Sequence, residues 1–149
     1  MQVRGRVLGR RQHDAVDQLT TATLRTTDPT PVVLKRYSYR YDKTVNRTGE
    51  QIDDASTTAS INTLNAATGF QPGGALRFAG TLSEPATVTV QAKPAQVTAS
   101  NQFAGSASAS SGTSNVAVVA TDPSGNTRTN TYQVTESGSA KTLTYDANG

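Results

Sequence analysis

The chain has 149 residues, of which 34% are hydrophobic and 5% aromatic, with neither tryptophan nor cysteine and a formal net charge of +3. The length suits one domain, but so small an apolar share argues against one large core. Absence of cysteine excludes disulfides and thiolate chemistry, and no apolar run reaches the length of a membrane span. The basic residues 1–11 are not followed by a signal-peptide core, so the export signal of an exported parent is expected outside this chain or by another route.

In chain order, residues 14–24 are the best helical candidate, with Val16, Leu19 and Thr23 on one face, but their threonines weigh against a helix. Asp28-Pro29-Thr30-Pro31 reads as an extended turn, since each proline keeps its predecessor out of the helical region. Tyr37, Tyr39 and Tyr41 alternate with Ser38 and Arg40, the period of a strand with one aromatic face. Residues 53–60 read as a linker or long edge strand, and residues 66–74 as a loop. From residue 64 to 136 frequent turn signals separate alternating segments. Leu76, Phe78, Gly80 and Leu82 share one parity, as do Val88, Val90 and Ala92, and Lys93-Pro94 ends the second run. Residues 106–114 are all small, so a strand there is expected to bury little. Residues 116–121 and 127–135 flank Asp122-Pro123-Ser124-Gly125-Asn126, whose proline and glycine suit a type I turn. Short strands at this spacing argue for a β-sandwich of about seventy residues, with Val88, Val118 and Tyr132 facing inward.

An eight-position pattern recurs outside that region. His13-Asp14-Ala15-Val16-Asp17-Gln18-Leu19-Thr20 matches Tyr41-Asp42-Lys43-Thr44-Val45-Asn46-Arg47-Thr48, and Tyr145-Asp146-Ala147-Asn148-Gly149 begins a third copy. In register it reads aromatic-Asp-x-x-Gly-polar-x-Thr. Gly149 alone keeps glycine at the fifth place, where Asp17 and Val45 stand in the others. Physically this is a strand end running into a tight turn: aspartate accepts main-chain hydrogen bonds two residues on, and glycine or asparagine tolerates positive φ. One hairpin of this kind cannot bury its apolar face and gains stability by stacking on neighbours. The tyrosine face is therefore expected against the first copy, through Leu19 and Leu24, and the third, through Leu143 and Tyr145. That topology brings Tyr41 and Tyr145 together and loops the middle of the chain out.

Charge is uneven. Residues 1–50 carry ten Lys or Arg against five acids, and residues 51–149 carry four against six. Lys35, Arg36, Arg40 and Lys43 interleaved with tyrosines fit single-stranded nucleic acid in principle, but the same alternation is what a half-buried strand with a solvated outer face requires. No catalytic constellation stands out. Asp53 and Asp54 are adjacent and point to opposite faces of a strand, and no Gly-x-Ser-x-Gly elbow or phosphate-binding loop occurs. His13 reads as an aromatic stand-in within its repeat. Asp146-Ala147-Asn148-Gly149 opens like a calcium loop without completing one, and Asp122 to Asn126 reads better as a turn held by its own hydrogen bonds. Asn46-Arg47-Thr48 matches a glycan acceptor triplet, a pattern common by chance. No cofactor or metal is expected.

The repeated pattern resembles the tyrosine–aspartate (YD) repeats of bacterial Rhs proteins, carried by His13 and Asp14, by Tyr41, Asp42 and Asn46, and by Tyr145, Asp146 and Gly149. Glu84-Pro85-Ala86-Thr87-Val88-Thr89-Val90, Phe103, the turn Asp122-Pro123-Ser124-Gly125-Asn126 and Tyr132-Gln133-Val134 resemble a bacterial Ig-like module, without the disulfide and buried tryptophan of antibody domains. The expectation is an all-β chain: degenerate YD hairpins and linker over 1–63, an Ig-like β-sandwich over 64–136, and the start of a further repeat over 137–149. The resemblance implies a non-enzymatic scaffold or interaction segment of a surface or secreted Rhs-type protein, acting in adhesion or contact-dependent competition, its partner the remainder of a larger repeat chain. A carbohydrate- or protein-binding role for the Ig-like module is the alternative, and nucleic-acid binding ranks third.

Overall fold

The structure, a computed structural model, describes residues 6–146; Gly149, expected at the turn of the third repeat copy, lies outside them. Among the described residues the regular structure is all β, and no helix is long and apolar enough to cross a membrane. The first part is an antiparallel meander of β1 (Arg6–His13), β2 (Leu19–Thr26), β3 (Val33–Tyr41), β4 (Arg47–Ile52), β5 (Ala55–Ile61) and β6 (Ala67–Pro72). Residues 14–24 make a turn and a strand rather than a helix. Thr21 pairs with Ser38 and Thr23 with Arg36, while Ala22 pairs with Tyr37 between them. Alternation therefore gives the sheet one polar, basic face and one aromatic face.

Between Pro72 and residue 141 the chain leaves this sheet and builds β7 (Gly74–Thr81), β8 (Thr87–Val90), β9 (Lys93–Pro94), β10 (Gln96–Val97), β11 (Gln102–Ala109), β12 (Gly112–Thr121) and β13 (Thr127–Glu136). They form two sheets, in the orders β10-β11-β7 and β13-β12-β8-β9, around one core. Leu76, Val90 and Val116 are its largest fully buried side chains. The inward parity expected for Val88 and Val118 holds, at 3% and 7% exposure, whereas Tyr132 on the same face of β13 remains 45% exposed. It lines a cleft between β7 and β13, where its ring meets Phe78 of β7 at 5.8 Å between centroids.

Other expectations need correction. Residues 53–60 are neither a linker nor an edge strand: most of them form β5, which lies inside the sheet between β4 and β6, with Ser56 buried. Residues 66–74 are not a loop, since β6 pairs with β5, so the change of sheet falls at Gly73 rather than residue 64 and Phe70 belongs to the meander. The small residues after 106 do bury area, because Ala107 and Ala109 are 1% and 5% exposed. Short side chains there let β11 approach the facing sheet closely, which is why larger residues are absent.

After the insertion the meander resumes. β14 (Lys141–Thr142) pairs with β6, Lys141 opposite Phe70 and Thr142 opposite Gly69. The middle of the chain thus loops out between two strands of one seven-stranded sheet. The partner differs from the one expected, because β4, β5 and β6 intervene between the Tyr41 strand and the strand leading to Tyr145.

Gly73 and Gly74 make the crossing, with φ of 92° and 138°. A Cβ on Gly73 would stand 2.7 Å from the Ala109 carbonyl oxygen, and one on Gly74 would collide with the Thr58 hydroxyl. The sandwich rests on the polar face of the meander. The buried Glu136 carboxylate accepts the Ser56 N–H (2.8 and 3.1 Å) and the Ser56 hydroxyl (2.5 Å), and Thr58 Oγ1 donates to the Gly73 carbonyl at 2.8 Å.

Candidate functional site

The eight-position pattern resolves into one recurring piece of geometry, with a job for each defined place. At the second place, Oδ1 of Asp14 accepts the main-chain N–H of Val16 and Gln18 at 3.0 and 2.9 Å. Asp42 does the same for Thr44 and Asn46, both at 2.9 Å. Hydrogen bonds from Asn46 first, and then Thr44, hold the Asp42 carboxyl below the ordinary carboxylate range. The fifth place sits in the left-handed region, with φ of 64° at Asp17 and 74° at Val45.

At the eighth place the partner strand carries one extra residue. Gln12 pairs with Thr21 and His13 with Leu19; Arg40 pairs with Gly49 and Tyr41 with Arg47. Thr20 and Thr48 are thus the bulged residues. Their hydroxyls donate across the bulge to the Gln12 and Arg40 carbonyls at 3.0 and 3.5 Å.

The same geometry reveals a copy that sequence comparison missed, Ile61-Asn62-Thr63-Leu64-Asn65-Ala66-Ala67-Thr68. Asn62 Oδ1 accepts the N–H of Leu64 and Ala66, both at 2.9 Å, Asn65 has φ of 59°, and Thr68 donates to the Ser60 carbonyl at 3.3 Å. Asparagine replaces aspartate as the acceptor and glycine as the left-handed residue, and isoleucine replaces tyrosine. The readable signal was acceptor, left-handed residue and threonine at fixed spacing, not the Tyr-Asp pair.

Asp122 to Asn126 shares the turn but not the rest. Asp122 Oδ1 accepts the Asn126 N–H at 2.8 Å, Gly125 has φ of 88°, and the Asn126 side chain leads the bonds that depress the Asp122 carboxyl. The β12–β13 ladder continues through it without a bulge, with Ala120 opposite Arg128. Pro123 is exposed within the turn. Asn101, at φ 56°, closes a fifth such turn after Thr98.

The first place ties one copy to the one before it. Tyr41 Oη donates to the carbonyl of Leu19, the seventh place of the preceding copy, at 3.0 Å. Tyr145 Oη donates to the carbonyl of Ala67, again the seventh place of the preceding copy, at 2.5 Å. Ile61 has no hydroxyl to offer, and the tips of its copy and the one before are joined instead by Asn46 Nδ2 to Asn65 Oδ1 at 3.2 Å. His13, at the first place of the first copy, is exposed. On the aromatic face the Arg47 guanidinium lies 5.5 Å from the Tyr39 ring centroid and pairs with Glu50 at 3.0 Å. Burial first, and then the Glu50 charge, raise the Tyr39 phenol above its ordinary range.

Val45 is the weakest fit to this geometry, a β-branched residue at positive φ with an exposed side chain. A left-handed conformation costs such a residue about 1–2 kcal/mol, partly offset in glycine by backbone entropy. Val45→Gly is therefore expected to stabilise the chain by about 1 kcal/mol, read as a rise of about 2–4 °C in melting midpoint. An unchanged or lowered midpoint would show that the turn carries no strain.

Two of the clefts among the described residues lie against the inserted strands. One, of about 490 Å³, lies at the gaping end of the sandwich between β7 and β13 and includes Phe103 and the exposed Tyr132. The other, of about 510 Å³, lies where β1 to β3 meet β7, and Arg10, Arg25, Arg36 and Arg77 all line it. The Arg25 side chain lies flat across Gly9, where a Cβ would stand 3.0 Å from Arg25 Cδ and 2.7 Å from Thr23 Oγ1. Arg25 Nε and Thr23 Oγ1 are buried there without partners, a cost of about 1–3 kcal/mol for each. Further along the same face, burial lowers the Arg40 guanidinium below its ordinary value.

Among the described residues no three His, Asp or Glu side chains are grouped so that they could hold a metal ion. Asp53 and Asp54 form the turn between β4 and β5, and Asp53 Oδ1 accepts the Arg36 N–H at 2.8 Å. No family model, curated protein or solved structure matches the chain.

Proposed function

We propose that the chain is a non-enzymatic scaffold and interaction segment of an Rhs/YD-repeat protein at the cell surface or outside the cell, with an Ig-like module inserted between two strands of its repeat sheet. The tyrosine tie carries the reading. The residue that defines the repeat reaches the same carbonyl of the preceding copy on both sides of the insertion, at Tyr41 and at Tyr145. A tie at a fixed repeat position is what a stacked array uses to pass register from one unit to the next. Strand order supports the Ig-like part: β7, β11 and β10 run in the order of strands B, E and D, and β13, β12, β8 and β9 in that of G, F, C and C′, with none corresponding to A among the described residues. Such a segment continues into further hairpins, so its principal partner is the remainder of a larger repeat chain.

Tyr41→Phe tests this reading by removing one hydroxyl and nothing else. The expected loss is about 1 kcal/mol, confined in hydrogen exchange to the β1–β2 hairpin, with β12 and β13 unchanged. Equal loss of protection throughout the chain would mean that the hairpins do not behave as stacked units. A second reading, carbohydrate or protein binding by the Ig-like module, is favoured by one observation: the Tyr132 ring stands half-exposed in the cleft beside Phe103.

A further inference from the structure

The cleft between the repeat sheet and β7 gathers positive charge that the fold itself does not use. Its four arginines come from four strands, β1, β2, β3 and β7. The only ion pair among the described residues, Arg47 with Glu50, lies elsewhere. The one carboxylate in the cleft, Asp53, is engaged by the Arg36 main chain. Four guanidinium groups held together against a single carboxylate leave the cleft net positive, which favours an anionic ligand that neutralises several at once. Arg25 is fixed flat over Gly9, so its guanidinium is positioned before any ligand arrives.

The remaining lining narrows the class of anion. The β7 strand edge, to which an extended peptide would add, is capped here: Gln51 Oε1 accepts the Arg77 N–H at 2.5 Å and Gln51 Nε2 reaches the Arg77 carbonyl at 3.4 Å. Stacking platforms for bases are poorly placed: of the two aromatic residues in the lining, Tyr37 alternates with Arg36 and Ser38 and belongs to the opposite face of the sheet, and the Phe78 ring packs against Tyr132. Much of the remaining lining is neutral and hydrogen-bonding, Gln12, Thr21, Thr23, Ser38 and Gln51, beside Ala22 and Ala79. Hydroxyl and amide groups interleaved with guanidinium forks match a chain of sugar rings bearing carboxylates or sulfates.

We propose that this junction cleft binds an acidic polysaccharide, its carboxylate or sulfate groups paired with Arg10, Arg25, Arg36 and Arg77. The site stands apart from the scaffold reading, because it depends on the arrangement of these arginines and not on the repeat class. It also differs from the Tyr132 cleft in place and chemistry.

Titration calorimetry on the full chain tests it, with a tetragalacturonate and a heparin-type tetrasaccharide as probes, and a neutral glucan, polyglutamate and a single-stranded oligonucleotide as comparisons. The acidic oligosaccharides are expected to bind, more weakly as salt rises, and the neutral glucan is not. Arg36→Gln with Arg77→Gln, both exposed, should leave the melting midpoint in place and weaken binding about tenfold or more. Lys43→Gln with Lys93→Gln, an equal loss of charge outside the cleft, should change affinity by less than about twofold. Absence of binding, or equal weakening by the lysine pair, overturns the proposal. Tighter binding of polyglutamate or the oligonucleotide overturns it in favour of a peptide or nucleic-acid site.

Discussion

Replacing Leu76 by alanine is expected to lower the unfolding free energy by about 2–5 kcal/mol. Leu76 is 1% exposed on β7 and belongs to a core shared by both sheets of the sandwich. Its neighbours there are mostly valine and alanine, which are too short to collapse into the space a leucine leaves. The cavity cost therefore adds to the transfer cost rather than relaxing away. Val97→Ala, at a position 36% exposed on the short β10, serves as the comparison and should stay within about 0.5 kcal/mol. Hydrogen exchange then shows where the loss is felt. Protection is expected to fall through β8, β11, β12 and β13 and to persist in β2 and β3, since the meander has its own ladder and its own tyrosine ties. A Leu76→Ala chain with an unchanged midpoint would mean that the two sheets do not share this core.

How far the fold could be read in advance depended on which signal each segment carried. Alternation was enough for β3, β7, β8, β12 and β13, because tyrosine, valine and leucine mark one face and threonine or arginine the other. The turns with a proline, a glycine or an Asp-Asn pair were equally legible. β5 could be read only as a linker or an edge strand, and β6 was not legible, since large apolar residues do not alternate along Ala55 to Pro72 and its turn uses asparagine where aspartate and glycine were expected. Tertiary pairing on both sides makes β5 a strand despite its composition. The threonine at the eighth place was visible in the pattern, but its reason, a bulge closed by a side-chain hydroxyl, needed the register. The arginine cleft was half legible: the basic bias of residues 1–50 was plain, but Arg77 joins Arg10, Arg25 and Arg36 only through the insertion folding back on the sheet.

That folding back is fixed at one buried point, and its removal should be felt across the molecule. Glu136, at the end of β13 and 2% exposed, meets Ser56 on β5, 3% exposed, eighty positions away. The carboxylate takes all the donors Ser56 has, its N–H and its hydroxyl. No cation pairs with Glu136 among the described residues, so these hydrogen bonds are what offsets its desolvation. Glu136→Ala leaves two donors of Ser56 buried and unmet and is expected to cost about 2–4 kcal/mol. Ser56→Ala should cost less, because its main-chain N–H still has the carboxylate. The double variant should fall short of the sum by about 1 kcal/mol or more, the mark of two groups acting as a unit. Strict additivity would show that Glu136 and Ser56 contribute separately and that the sandwich is held to the sheet elsewhere. With the coupling present, the same cycle read by hydrogen exchange should show β5 and β13 losing protection together. A contact that joins the inserted module to the repeat sheet would then also keep Arg77 opposite Arg25 and Arg36, and the geometry of the cleft would depend on it.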